Sequence, residues 1–120
     1  MRLMKFLLLT SACVSSSAFA QTQPIEIRFE ARVGSEPARC DQAYSGIGTA
    51  NAGMRFQDLR LYVSAVRLIA ADGTETPVSL TPDYQWQNDA VTLLDFEDRN
   101  GNCNGNSATN NVVRGTVPVG

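Results

Sequence analysis

Residues 25–33 read IEIRFEARV, and this stretch indicates the fold class of the chain. Apolar and charged side chains alternate strictly along it, which is the two-residue period of a β-strand. The apolar face holds Ile25, Ile27, Phe29, Ala31 and Val33, and the charged face holds Glu26, Arg28, Glu30 and Arg32. The stretch therefore predicts one half-buried strand over residues 25–33 with a charged outer face.

Further strand signals follow at short intervals. Residues 59–69 are apolar on both faces and rich in β-branched side chains, which favours a strand buried on both sides, although the spacing alone also allows a short helix. Other strands are predicted at 76–80, 84–87, 90–97 and 112–117, and long loops at 34–53 and 99–111. This pattern predicts an all-β fold, an antiparallel β-sandwich. Because the sequence stops directly after a strand, we expect an incomplete, C-terminally truncated domain.

Residues 1–20 have the features of a secretory signal peptide. Arg2 and Lys5 precede an apolar run over 6–12, and residues 18–20 read AFA, an A-x-A cleavage site. The predicted division is a signal peptide at 1–20 and one β domain at 21–120, in the periplasm or at the cell surface. The apolar run is shorter than the roughly 20 residues that a bilayer requires, so no membrane span is expected.

Composition narrows the possible functions. The 120 residues suffice for one ordinary domain and include no His, which excludes Ser-His and Cys-His catalysis and imidazole metal sites within this sequence. Residues 21–120 carry eight Arg and twelve acidic side chains, a net charge of −4, so we expect no basic surface for nucleic acid. No nucleophile–base pair is visible, and we expect a protein that is not an enzyme.

Two cysteines, Cys40 and Cys103, follow the cleavage site. In an oxidising compartment an isolated pair most simply forms a disulfide. Closing a loop of about 63 residues contributes about 4 kcal/mol in the chain-entropy model. The alternative is a pair of thiolates that holds a soft metal, which requires both cysteines to be reduced. Met54 is the other soft donor that follows the cleavage site.

Three acids, Asp95, Glu97 and Asp98, cluster at the end of a predicted strand. Such carboxylates can bind a hard cation or transfer protons, whereas a solvated strand end is the commoner explanation. Residues 98–102 have the alternate-oxygen spacing of a calcium loop but lack its later acidic residue, so calcium is a minor candidate.

Six segments, taken in order, resemble one protein family. They are Phe29-x3-Val33-Gly34; Cys40-x3-Tyr44-x-Gly46-Ile47-Gly48; Asp58-x-Arg60-x-Tyr62-Val63-Ser64-x-Val66-Arg67-Leu68; Trp86-Gln87; Leu93-Leu94-Asp95-Phe96-Glu97-Asp98-x2-Gly101-x-Cys103; and Asn111-x2-Arg114-Gly115-x-Val117-Pro118. Their order and spacing are similar to those of the MbnP-like copper-binding proteins, also called the metallo-mystery pair four-Cys proteins. The resemblance covers residues 21–120 and only the N-terminal half of the family's usual length.

The resemblance implies an exported, β-rich, copper-binding protein that acts with a di-haem cytochrome of the peroxidase class. In relatives, that partner oxidises a Trp to kynurenine, whose ketone and aniline nitrogen can contact a metal. By position, Cys40 and Cys103 match the first two of the four family cysteines, and Trp86 matches the family's Trp-Gln segment. Where some relatives have Trp-x-His, Asn88 stands here.

The family's histidines and second cysteine pair lie in the part that this sequence does not include. We therefore expect most copper ligands there. The alternative function is a structural or surface-recognition β-sandwich without metal, in which the matched residues serve the core and the turns.

Overall fold

The computed structural model describes residues 20–97 and 103–119. Residues 1–19 of the predicted signal peptide and residues 98–102 of the predicted calcium loop lie outside the described residues. Within the described ranges the regular elements are eleven β-strands: β1 Thr22–Arg28, β2 Arg32–Val33, β3 Glu36–Pro37, β4 Ala43–Ile47, β5 Ala52–Arg55, β6 Arg60–Ser64, β7 Arg67–Ile69, β8 Glu75–Pro77, β9 Ser79–Leu80, β10 Val91–Asp95 and β11 Val112–Pro118.

The largest sheet has three antiparallel strands in the order β1-β11-β9. β1 pairs with β11 over its whole length, and β9 pairs with the other edge of β11. β11 is therefore hydrogen-bonded on both edges, and its valines Val112, Val113 and Val117 are buried. β-Branched side chains of this kind suit a central strand because they pack against neighbours on the pleated surface.

A second antiparallel pair joins β6 to β10, and Leu94 of β10 adds to the core together with Tyr44 of β4 and Val78. Asp95 at the end of β10 and Asn110 exchange backbone N–H···O bonds of 2.8 and 2.9 Å, which join this pair to the start of β11. Leu94 on β10 and Val113 on β11 are 0% and 1% exposed. The predicted all-β, antiparallel sandwich is confirmed, and so are the strands predicted near 90–97 and 112–117.

Three hairpins complete the fold: β2 with β3, β4 with β5, and β7 with β8. The prediction of a long loop over 34–53 was wrong, because this segment contains β3, β4 and the start of β5. Left-handed backbone at Gly48 (φ 67°) and Asn51 (φ 53°) forms the β4–β5 connection, and Gly46 (φ 74°) lies within β4 where the register with β5 shifts. These glycines allow a turn and an irregular strand, and the two strands still pair.

The strand predicted over 25–33 is interrupted. β1 ends at Arg28, where the N–H of Phe29 donates to the carbonyl of Asn111 at 2.9 Å, and β2 then pairs with β3 instead of β11. The alternation of Ile25 and Ile27 with charged neighbours still matches their half-burial. Alternation thus predicted the half-buried face correctly at Ile25, Ile27, Ala31 and Val33. It was wrong for Phe29, which is 37% exposed where the chain changes partner.

The strand predicted over 59–69 was wrong in continuity and in burial. Ala65 has φ 51°, and this residue separates β6 from β7. Tyr62 and Ile69 are 72% and 70% exposed. β6 pairs with β10 and β7 with β8, so each sits in a two-stranded sheet. Similarly, the strand predicted over 76–80 is divided between β8 and β9.

β11 and β9 approach each other closely at Gly115. A Cβ atom built on Gly115 would lie 2.5 Å from Val78 Cγ1 and 2.6 Å from the carbonyl oxygen of Ser79. Real Cβ contacts are longer than this, so glycine is required for the two strands to pack. No helix among the described residues is long and apolar enough to cross a membrane.

Candidate functional site

Asp83 builds the bend that carries Trp86. Its Oδ1 accepts hydrogen bonds from the backbone N–H groups of Gln85, Trp86 and Gln87 at 2.9, 2.7 and 3.0 Å. The N–H groups of Asp83 and Tyr84 both donate to the carbonyl of Gln87 at 3.0 Å. The strand predicted here was wrong, because an Asp side chain that bonds the following backbone competes with strand pairing.

The contacts of this bend lower the pKa of the Asp83 carboxyl group. Desolvation raises its pKa, but the backbone donors, Trp86 first among them, together with the charge of Arg114 lower it by more. The pKa of Asp83 therefore lies below its ordinary value. The ionised carboxylate is the form that holds the bend in place.

Gln87 fastens the bend to the core. It is 5% exposed, and its Nε2 donates to the carbonyls of Thr81 and Arg114 at 2.5 and 2.6 Å. Its Oε1 accepts from the buried hydroxyl of Thr92 at 2.7 Å and from the N–H of Arg114 at 3.1 Å. All four hydrogen-bonding positions of the amide are thus used, which fixes the backbone next to Trp86.

Trp86 itself is half-buried and lines an open groove of about 280 Å³. The groove is bounded by Tyr62, Tyr84, Gln85, Trp86, Gln87, Asn88, Val91 and Leu93. Tyr62 and Tyr84 are 72% and 88% exposed, so the indole lies beside an open aromatic surface. A macromolecule could therefore approach this side chain without unfolding the domain.

The groove provides no soft donors for copper. Its lining consists of phenol, amide, indole and aliphatic groups, whereas Cu(I) prefers thiolate, thioether or imidazole ligands. Asn88, the residue that stands in place of a relative's His, already accepts the N–H groups of Ala90 and Val91 at 2.8 Å through Oδ1. The residues around Trp86 alone do not fit a copper site.

The second candidate region surrounds the disulfide. The structure contains the predicted Cys40–Cys103 bond, with 5.3 Å between the two Cα atoms. Tyr44 positions the segment before Cys40, because its buried hydroxyl donates to the carbonyl of Pro37 and accepts the N–H of Arg39, both at 2.7 Å. The disulfide thus links the loop before β4 to the segment that leads into β11.

Two of the three predicted acids, Asp95 and Glu97, are buried, and Glu97 lies beside this disulfide. Asp95 is 8% and Glu97 is 3% exposed, so the expectation of a solvated strand end was wrong. Asp95 Oδ1 accepts the N–H of Glu97 at 3.1 Å. A carboxylate oxygen of Glu97 and the sulfurs of Cys40 and Cys103 all lie within 4.8 Å of one another.

Of the remaining predicted donors, Met54 is not part of this cluster. Met54 lies on β5 opposite Tyr44 of β4, and it does not line the cavity beside the disulfide. Asp98 lies outside the described residues. Calcium coordination by residues 98–102 therefore stays a prediction.

Sequence reasoning missed two residues that organise the Trp86 bend. Asp83 follows Pro82, a pair typical of a turn, but this pair does not show that the Asp83 carboxylate would accept the next three N–H groups. The sequence does not indicate the role of Gln87 beyond its place in the Trp-Gln segment. Its four hydrogen bonds go to Thr81, Thr92 and Arg114, which are not its sequence neighbours.

The fold and these contacts define a small, disulfide-linked, antiparallel β domain with an aromatic groove. The family model for MbnP matches residues 22–120, and the chain therefore belongs to the MbnP family. The solved structure of MbnP from Methylosinus trichosporium is similar, with a TM-score of 0.66 and 34% sequence identity. The match covers 83% of this chain and 36% of that chain. No curated protein sequence matches this chain.

Proposed function

We propose that this chain is part of an exported copper-binding protein, and that Trp86 is oxidised to kynurenine by a di-haem cytochrome of the peroxidase class. In this proposal the protein is the partner's substrate and not itself an enzyme. The observation that carries the proposal is family membership over residues 22–120. The position of Trp86 in an open groove supports it, because the indole is reachable from outside. The disulfide is in keeping with export, since such bonds persist in oxidising compartments.

The residues around Trp86 would hold the indole still while it reacts. Asp83 and Gln87 fix the backbone on either side of the ring through the contacts described above. The conversion consumes two peroxide molecules. Each gives one oxygen atom to the indole C2–C3 double bond, which breaks, and each leaves as water. Hydrolysis by one water molecule then releases the C2 carbon as formate, so that the side chain has gained one oxygen and lost one carbon.

Kynurenine would add an amine nitrogen and a ketone to a groove that otherwise offers phenol and amide groups. These groups do not complete a copper site by themselves. The proposal therefore assigns copper binding to the whole protein. The matched relative is considerably longer than this chain, and the match covers 36% of that relative.

The test is a copper competition titration of the full protein, produced with and without the di-haem partner. Peptide mass analysis should find the oxygen-for-carbon change at Trp86 only when the partner is present. Copper affinity should rise in parallel. The variant Trp86→Phe should lose that rise, whereas the matched groove variant Tyr84→Phe should keep it. Absence of copper binding in both preparations would refute the proposal, and equal binding by Trp86→Phe would refute the role of Trp86.

One observation favours a second function, a surface for recognising another macromolecule. Tyr62 and Tyr84 both line the groove and are strongly exposed, and exposed aromatic clusters are typical of binding surfaces. Under this function, alanine at both tyrosines would abolish capture of a partner and leave copper affinity unchanged.

A further inference from the structure

The Glu97 carboxylate beside the disulfide is not explained by the fold. Glu97 is 3% exposed, and its Oε1 has no hydrogen-bond partner among the described residues. A buried carboxylate oxygen without a partner costs free energy, so this position favours an additional ligand. That oxygen belongs to a side chain whose carboxylate lies within 4.8 Å of both disulfide sulfurs.

A small cavity lies beside the same groups. Its volume is about 10 Å³, and it is lined by Ala38, Arg39, Cys40, Phe56, Leu59, Phe96 and Glu97. A void of this size accommodates about one water molecule or one ion. The lining side chains are apolar apart from Arg39, Cys40 and Glu97. Of these three, Cys40 and Glu97 carry the side-chain atoms that can ligate a cation, since a guanidinium group only donates hydrogen bonds.

We propose that the chain, when Cys40 and Cys103 are reduced, binds one zinc-type divalent cation through their two sulfurs and the Glu97 carboxylate. In the oxidised chain the sulfurs are bonded to each other and carry no charge for a cation. The cation and the disulfide therefore exclude each other. The occupied state belongs to newly made chains before the disulfide forms, or to chains reduced afterwards.

The reduction step requires a dithiol reductant. The reductant transfers two electrons and two protons to the disulfide, which becomes two thiols, and the reductant becomes a disulfide. Each thiol then releases its proton to solvent as the cation binds, because the thiolate is the ligand form. Cys103 Sγ lies 2.9 Å from the carbonyl oxygen of Phe56. A disulfide sulfur has no proton for this contact, whereas the reduced thiol donates to it until the cation binds.

The donor set favours zinc over monovalent copper. Zn²⁺ accepts both thiolate sulfur and carboxylate oxygen, at about 2.3 and 2.0–2.2 Å, whereas Cu(I) selects soft donors. Ligand atoms already within 4.8 Å of one another need only small side-chain movements to surround one ion. Three protein ligands leave a fourth tetrahedral position for water.

This site goes beyond the proposed copper function and does not depend on it. It concerns the reduced protein without its di-haem partner, whereas the copper titration concerns the oxidised protein with that partner. Either experiment can therefore fail while the other succeeds.

The test is an anaerobic zinc titration of the purified full protein against a chromophoric chelator, before and after reduction and removal of the dithiol. We expect one Zn²⁺ per reduced chain and none per oxidised chain. Glu97→Gln should weaken zinc binding at least 10-fold. The surface control Glu30→Gln should bind as the unmodified protein does. Cobalt(II) in place of zinc should give a sulfur-to-metal charge-transfer band, which reports thiolate ligation directly.

Equal zinc affinity in the oxidised and reduced proteins would overturn the proposal, as would unchanged affinity in Glu97→Gln. Reduction could also unfold the domain, and this outcome is decisive as well. Zinc binding is then coupled to folding, so added Zn²⁺ should restore the β-sheet circular dichroism of the reduced protein but not of reduced Glu97→Gln. A reduced chain that stays unfolded with excess Zn²⁺ would refute the site.

Discussion

Replacing Gln87 with Leu changes the side-chain volume little, but it should destabilise the domain severely. The substitution removes both acceptors of the amide, which leaves the Thr92 hydroxyl and the Arg114 N–H without partners. It also removes the donors to two carbonyl oxygens. Each buried polar group left unsatisfied costs about 1–3 kcal/mol. Two such groups, offset by about 1 kcal/mol from the added apolar burial, predict a loss of about 1–5 kcal/mol.

The assay is urea unfolding followed by far-UV circular dichroism. The matched control is Gln85→Leu, two residues away on the same bend, whose side chain is exposed. Exposed substitutions usually stay within about 0.5 kcal/mol of the parent protein. If Gln87→Leu falls within that range, or if the two leucine variants are equally destabilised, the hydrogen-bond network does not hold the bend and our reasoning is wrong.

A glutamate at the same position separates hydrogen bonding from shape. Gln87→Glu retains the acceptors for Thr92 and Arg114 but turns a carboxylate oxygen towards two carbonyl oxygens. Burial and the two facing carbonyl oxygens, which can only accept a hydrogen bond, favour the protonated carboxyl. The pKa of the introduced carboxyl group should therefore be raised in the folded state. The variant should therefore regain stability as the pH falls, whereas Gln87→Leu should show no such recovery. A pH-independent loss in Gln87→Glu would contradict this assignment.

Three further predictions follow from the same structure. Gly115→Ala should cost about 1–3 kcal/mol in urea unfolding, because its Cβ would overlap Val78 and Ser79, whereas Gly53→Ala, with its nearest non-adjacent atom at 3.8 Å, should be far milder. The lowered pKa of Asp83 means that the stability it contributes is complete above the unfolded-state pKa of about 4 and is lost as pH falls through the lower folded-state value. Fluorescence of Trp86 should report this loosening on acidification. The neutral variant Asp83→Asn keeps an acceptor oxygen and should lack this pH dependence. If its fluorescence changes with pH as that of the parent protein does, the role of the Asp83 carboxylate is refuted. Tyr44→Phe should lose about 1–2 kcal/mol, since its hydroxyl makes two hydrogen bonds, and Tyr84→Phe on the open surface is the control.

The sequence predicted the fold class well because strand signals are local. The alternation in 25–33 and the apolar run near 90–97 each reflect which face of a strand is buried, a property of adjacent residues. The partner of each strand is not local in this way. β1 pairs with the distant β11, and the N–H of Phe29 still bonds the carbonyl of Asn111 before the chain turns to pair with β3. Exposure of Tyr62 was likewise hidden, because an apolar strand in a two-stranded sheet has the same composition as a buried one.

In the candidate site, too, the features set by nearby residues could be predicted and those set by distant residues could not. The number of cysteines predicted the disulfide, since the predicted mature chain contains one pair. The burial of Glu97 against that disulfide was not visible, because nothing in residues 95–98 distinguishes a buried acid from a solvated one. The roles of Asp83 and Gln87 depend on backbone atoms, which carry no sequence signal of their own.

The pairing of β1 with β11 has a consequence for the order in which the chain folds. These are the first and last of the described strands, and about 90 residues separate partners such as Ile27 and Val113. A chain that emerges N-terminus first, from a ribosome or an export channel, holds β1 with its pairing edge open until β11 has emerged. Contacts of such high sequence separation form slowly. The hairpins β4–β5 and β7–β8 can form early, whereas pairing of β1 with β11 waits until nearly all of the described residues have emerged. Until then the unpaired edge of β1 is open to aggregation, and the charged residues Glu26 and Arg28 along that strand oppose pairing with other chains.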